Sequence, residues 1–279
     1  MELKKKTKNW ENEKFAIWIS FALGLLTHIY CLTNAFPNHD GLGSMYFDQN
    51  MITSGRNFLT YACGISSYYN LPWVDGLLSI AYISICSGMI IRLLEITTKQ
   101  SVILISGLIV TFPAVFETFC FIYTADGYFL AMLLAVLAVY CVEKQGWRQV
   151  CLGSICLGLS LGIYQIYVSI ALILAVIKIV LKIFDEENIS TIKSKVLSYF
   201  FMFLGGAIAY TVSLLVMLKI QGKKLSSYNG INETFNFSLD KMWNAFLFCY
   251  KDFWKFITHR SLLTINNLQM GARTKNWTP

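Results

Sequence analysis

Val150–Phe184 reads VCLGSICLGLSLGIYQIYVSIALILAVIKIVLKIF, thirty-five residues with two lysines and no acid. A hydrocarbon core of ~30 Å takes about 20 residues of helix at 1.5 Å per residue. The stretch is therefore too long for one crossing without strong tilt and short for two full ones. Gly158, Gly162 and the polar Gln165 near its middle favour a helical hairpin turning at Ile163-Tyr164-Gln165. Split there, the chain has seven membrane spans.

Working outward, the other apolar runs are Phe15–Phe36, Trp73–Arg92, Ser101–Tyr123, Gly127–Val142 and Val196–Leu218, with Val150–Ile163 and Tyr164–Phe184 from the split. The chain is 56% hydrophobic and 14% charged, against roughly 25% charged in soluble domains, and its mean hydropathy is +0.53. Apolar residues fall in long runs rather than in a short alternation, which predicts an all-α polytopic membrane protein. Five lysines in the first fourteen residues (Lys4, Lys5, Lys6, Lys8, Lys14) precede the first run. They read as the positive-inside signal that keeps the amino terminus, residues 1–14, cytoplasmic. The first run is too long for the core of a cleaved signal peptide, so an uncleaved span is expected. The net charge of +7 is thereby a topology signal, and no nucleic-acid partner is expected. Lys178 and Lys182 are expected to snorkel to the inner surface.

Eight cysteines suggest redox or metal chemistry, but most lie in apolar runs, where cysteine behaves as a small hydrophobe. There is no CxxC and no histidine pair at ligand spacing, so no metal site and no cofactor is expected. Nothing in the spacing calls for a bridge between Cys63 and Cys249, the two that fall outside the runs.

Most links are terse, but Pro37–Pro72 is a first loop of thirty-six residues carrying Asn38-His39-Asp40-Gly41, Asp48 and Ser54-Gly55-Arg56. An ionisable cluster beside an apolar bundle is where a membrane enzyme would hold a phosphate and deprotonate a hydroxyl. Asp40 before Gly-Leu-Gly also fits the start of a short helix that it caps. Asp48 would lie about 80° around an ideal helix from Asp40, which suits an exposed surface acid. Arg56, the lone basic residue of the loop besides His39, follows a break at Ser54-Gly55, and its planar guanidinium suits phosphate oxygens as well as solvent. Asp126 is read in a tight turn, Thr124-Ala125-Asp126, on the same side as Asp40, where a turn acid is common. Glu117 falls in the outer half of its span, costly unless it faces a cavity or partner. Tyr164, Gln165 and Tyr167 fall near the same ends. Beyond Leu218, residues 219–279 read as an extracytoplasmic tail: a helix starts at Ser238-Leu239-Asp240-Lys241, and the aromatic-rich Met242–Ile257 suits a bilayer surface or a lid.

Asn38-His39-Asp40-Gly41, Ser54-Gly55-Arg56, Leu71-Pro72-Trp73, Tyr123-Thr124-Ala125-Asp126, Leu161-Gly162-Ile163-Tyr164-Gln165 and Tyr228-Asn229-Gly230-Ile231 together resemble the bacterial Gtr-type, type II serotype-converting glucosyltransferases. The resemblance runs from about Asn34 to Ile257. It implies a GT-C-like bundle of about seven transmembrane helices over residues 15–218, with short helices in the outer first loop. It also implies a polyprenyl-phosphate sugar donor, undecaprenyl-phosphate glucose, used on the outer face of the bacterial cytoplasmic membrane. The acceptor would be a hydroxyl of a cell-surface polysaccharide, such as an O-antigen, or its lipid-linked precursor. By resemblance Asp40 is the catalytic acid of the first loop, expected to activate the acceptor hydroxyl. Arg56 is expected to hold the donor phosphate, and Asp126, Gln165, Tyr164, Glu117 and Asp48 to bind substrate. Family members are usually longer, with further spans after the aromatic helix; a truncated or split gene product would be an impaired enzyme. A lipid-linked sugar flippase is the main rival, yet the chain has no convincing internal repeat and its acids sit at span ends. A non-catalytic membrane assembly factor is the third reading.

Overall fold

The computed structural model describes residues 2–34, 50–63, 71–144, 146–227 and 238–258. Asp40 and Asp48, and with them Asn38-His39-Asp40-Gly41, lie outside the described residues, as does Tyr228-Asn229-Gly230-Ile231. Two compact units are separated, Met1–Ser226 and Ser227–Pro279.

Every regular element among the described residues is helical. The first unit contains α1 (Glu2–Thr33), a 3-10 turn at Ile52–Ser54, α2 (Leu59–Ala62), α3 (Pro72–Leu93), α4 (Lys99–Thr111), α5 (Pro113–Phe119), α6 (Ile122–Glu143), α7 (Trp147–Ile163), a 3-10 turn at Gln165–Tyr167, α8 (Val168–Phe184) and α9 (Ile189–Gln221). Five described stretches are long and apolar enough to cross a membrane: Trp10–Thr33, Pro72–Leu93, Ile122–Glu143, Gln165–Phe184 and Ile189–Gln221. The bent pair α4–α5 makes a sixth if it is one span, and α7 is apolar but shorter. The chain is a multi-pass all-α membrane protein. The expected hairpin is present: Tyr164 is extended (φ −157°, ψ 115°) and ends α7 before α8 begins. Helix α9 starts earlier than the span expected at Val196, because Ile189–Lys195 already belongs to it.

Helix α6 is the hub, packing on α3 and α7 and touching α8 and α9, while α1 packs on α3 and α4. Its residues from Ile122 to Phe129 are all buried, as an all-round apolar helix in a bundle requires. The α7–α9 contact is made by small residues. A Cβ at Gly158 would stand 3.2 Å from the Gly206 carbonyl oxygen, and one at Gly206 would meet Leu157 at 3.0 Å. Close approach of backbones is how membrane helices gain dispersion energy where lipid is as apolar as leucine.

The third span departs from expectation. Pro113 has no N–H to continue α4 and pushes Phe112 into extended geometry (ψ 139°), so α4 and α5 are bent by 42°. His28 of α1 answers the break: its Nε2–H donates to the Val110 carbonyl at 2.8 Å, and its ring stacks on Phe119 at 4.4 Å. The chain then turns at Cys120-Phe121, before Ile122. Thr124-Ala125-Asp126 is therefore buried inside α6 rather than forming the turn.

At the far end of α6 the lysines cap helices. Lys178 donates to the Leu93 carbonyl at 2.9 Å, and Lys195 donates to that of Val142 at 2.8 Å. These carbonyls end α3 and α6 and have no intrahelical partner. Glu143 accepts from Tyr199 Oη at 2.6 Å and lies 3.6 Å from both ammonium groups. Lys178 is buried among these helix ends; Lys182 sits at its own helix end, paired with Glu187 at 2.9 Å.

In the second unit, α10 (Leu239–Thr258) spaces Met242, Trp243, Phe246, Tyr250 and Phe253 three or four apart, so they share one face. Trp243 stacks on Phe246 with centroids 5.6 Å apart, and Phe246 lies 4.6 Å from Tyr250.

Candidate active site

The sequence break at Ser54-Gly55 is a sharp reversal. Ser54 Oγ donates to the Met51 carbonyl at 2.8 Å, and Gly55 closes the 3-10 turn in the left-handed region (φ +78°), which glycine adopts without strain. A Cβ there would also stand 2.7 Å from Gln165 Nε2 and from Tyr210 Oη, so space excludes other residues too.

The flanks dock this reversal on the bundle. Ile52 is buried with Leu214 and Leu218 of α9. Leu59 and Cys63 are buried with Tyr128 and Ala131 of α6 and Ile163 of α7. The Phe58 amide donates to the Gly162 carbonyl at 2.8 Å, and Asn57 Nδ2 donates to Ser213 Oγ at 3.0 Å. A side chain at Gly162 would run into the Phe58 ring.

Arg56 is thereby delivered to the amino-terminal end of α6. Its Nη1 donates to Tyr128 Oη at 2.8 Å and lies 3.5 Å from Met51 Sδ. The guanidinium carbon stands 4.6 Å from the Tyr164 ring centre and 5.7 Å from that of Tyr128. The two rings stack on each other, 4.5 Å apart and 19° from parallel, giving the cation an aromatic support. Nε is buried and has no hydrogen-bond partner among the described residues, and no ion pair with Arg56 occurs among them. The guanidinium thus keeps an unfilled donor where a buried N–H is costly to leave unmade. A phosphate or carboxylate oxygen is its natural complement.

Gln165 sits beside this group. Its Nε2 donates to the Gly55 carbonyl at 2.9 Å and to Tyr210 Oη at 3.0 Å, while Tyr210 Oη donates to the same carbonyl at 3.1 Å. The structure therefore unites Arg56, Tyr164 and Gln165 from the sequence candidates. Asp126 lies two residues before Tyr128, about 200° around α6 from it, and is buried, with its Oδ1 accepting from the Gly127 amide at 2.8 Å. Glu117 is exposed on α5 and makes no described contact with the Arg56 group.

Sequence reasoning missed two members of the Arg56 group and one buried acid outside it. Tyr128 and Tyr210 are aromatic residues inside apolar spans and carry no local signal. Asp75 did carry one: an acid in the first turn of a span, here fully buried, where a charge is expensive without a role. The Asp126 side chain pairs with Cys63, and the Asp75 carboxylate acts on the same thiol more weakly. Burial pushes the Cys63 thiol above its ordinary value, with the Asp126 carboxylate next and that of Asp75 contributing. A raised thiol pKa keeps the group protonated to higher pH, and the thiolate is the reactive form. Cys63 is expected to resist maleimide in the folded protein at pH 7–9, whereas the exposed Cys249 labels and faster at higher pH. Mass spectrometry of the labelled sites checks this, and modification of both at equal rates would contradict it.

Comparison with curated proteins and with solved structures gives no match. The family profile described as glucosyl transferase GtrII matches residues 29–269, which spans the Arg56 reversal, the α6 cluster and α10. The chain belongs to the GtrII glucosyl transferase family and is a glycosyltransferase.

Proposed function

We propose that the protein transfers a glucosyl or related hexosyl group from a polyprenyl-phosphate donor to a hydroxyl of a cell-surface polysaccharide or its lipid-linked precursor. The reaction runs on the outer face of the bacterial cytoplasmic membrane. The observation that carries this reading is the Arg56 guanidinium, held on one edge by Tyr128 and supported on the Tyr164 ring with a buried donor still unfilled. The site lies at a span end, where a lipid-borne phosphate travels. The basic residues 1–14 support a cytoplasmic amino terminus, so the stretch after the first span faces outward.

In the proposed step Asp40 accepts the proton of the acceptor hydroxyl. The acceptor oxygen forms its bond to the sugar's anomeric carbon as that carbon's bond to the phosphate oxygen breaks. The bond's electrons leave with the phosphate, and Arg56 stabilises the charge gathered there. Tyr164 and the free Oε1 of Gln165 meet the sugar, and Asp126, Asp48 and Glu117 are assigned to sugar or acceptor hydroxyls. Membrane lipid is the third partner, since the donor arrives by lateral diffusion.

The test uses membranes holding the full chain, radiolabelled polyprenyl-phosphate glucose and the surface polymer of the host. Label is expected in the polymer. Saturable donor binding with no label in polymer or lipid-linked precursor would instead favour a flippase and overturn the transferase reading.

A further inference from the structure

We infer that Tyr128, together with the Gln165–Tyr210 pair, positions Arg56 for the donor phosphate; this rests on the reading of Arg56 as phosphate holder. An arginine has a long, freely rotating side chain and loses much rotamer freedom when it is held. Here each degree of freedom is removed by a different contact. The backbone before Arg56 is clamped because the Gly55 carbonyl accepts from both Gln165 Nε2 and Tyr210 Oη. The tilt of the guanidinium is set by the Tyr164 face at 4.6 Å. Its in-plane rotation is set by the Nη1 bond to Tyr128 Oη. Tyr128 is itself buried and stacked on Tyr164, so it offers a fixed acceptor. With Nη1 taken, the Nε side is the edge left for a ligand, and that edge of the planar fork matches two phosphate oxygens.

The consequence is that Tyr128 acts on the phosphate without touching it. Full-length variants in membranes are titrated with two radiolabelled probes, polyprenyl-phosphate glucose and polyprenyl phosphate without sugar. Tyr128→Phe keeps the stacked ring and removes only the hydroxyl, and weakening of both probes by about tenfold is expected, the scale of one hydrogen bond to a charged group. Tyr210→Phe is expected to weaken both probes by a smaller factor. In the Tyr128→Phe/Arg56→Ala double variant the loss should equal that of Arg56→Ala alone, because residues acting through one group are not additive.

Weakening confined to the sugar-bearing probe would make Tyr128 a direct sugar contact and overturn the inference, as would additive losses in the double variant. If Arg56→Ala weakens both probes while Tyr128→Phe and Tyr210→Phe bind as the parent does, positioning alone is wrong. If Arg56→Ala itself leaves both affinities unchanged, the phosphate-holding reading falls and the inference with it. Unchanged thermal midpoints of the variants exclude unfolding as the cause; should Tyr128→Phe fail to fold, Tyr210→Phe carries the same comparison.

Discussion

Asp40→Asn is expected to lower glucosyl transfer by about 10²- to 10⁴-fold, the range a positioned general base contributes. The substitution separates the two readings of this residue. Asparagine caps a helix about as well as aspartate, so a structural cap survives the change, while an amide does not accept the acceptor's proton. Incorporation of labelled sugar into the surface polymer is the measurement, with donor binding followed alongside. Loss of transfer with donor affinity retained is the expected pattern. Transfer at the parent rate would remove Asp40 from the chemistry.

Arg56→Ala is expected to lower transfer by about 10²- to 10³-fold, comparable to deleting one preorganised donor from a site where charge develops. Donor affinity should fall as well, because the phosphate is bound before it leaves. Arg56→Lys should recover part of the charge effect but not the geometry: an ammonium is a point charge and cannot both bond Tyr128 and present a two-pronged edge. Equal activity of Arg56, Lys and Ala forms would show that no phosphate is held there. Arg56 is half-buried and neutralises no described acid, so its removal strips no ion pair from the fold. Tyr128 loses one hydrogen bond and keeps its stack on Tyr164.

Much of the architecture was legible in the chain because its signals are local. Run length against bilayer thickness marks the spans. Gly158, Gly162 and Gln165 mark the hairpin that ends at Tyr164. Ser54-Gly55 marks the reversal before Arg56, since a left-handed residue after a 3-10 turn asks for glycine. The amphipathic helix from Leu239 was legible through its spacing. Pro113 was in plain view too, but hydropathy outweighed it. The run Ser101–Tyr123 reads as one straight span, and the backbone break costs it nothing in apolar character.

By itself the sequence determined a multi-pass helical bundle, the family, Arg56 in the first loop after a break, and Tyr164 and Gln165 at span ends. The tertiary structure decided what those residues do to one another. Tyr128 meets Arg56 across seventy-two positions of chain, and Tyr210 meets Gln165 across forty-five. The bend at Pro113 draws Asp126 out of a turn into the buried first turns of α6. Lys178 and Lys195 end the helices of their neighbours, donating to the Leu93 and Val142 carbonyls. The reason is common to all of these: run length, capping and turn preference are properties of adjacent residues. The partner of a polar side chain inside a bundle depends on which helices pack together, and local signals carry none of that information.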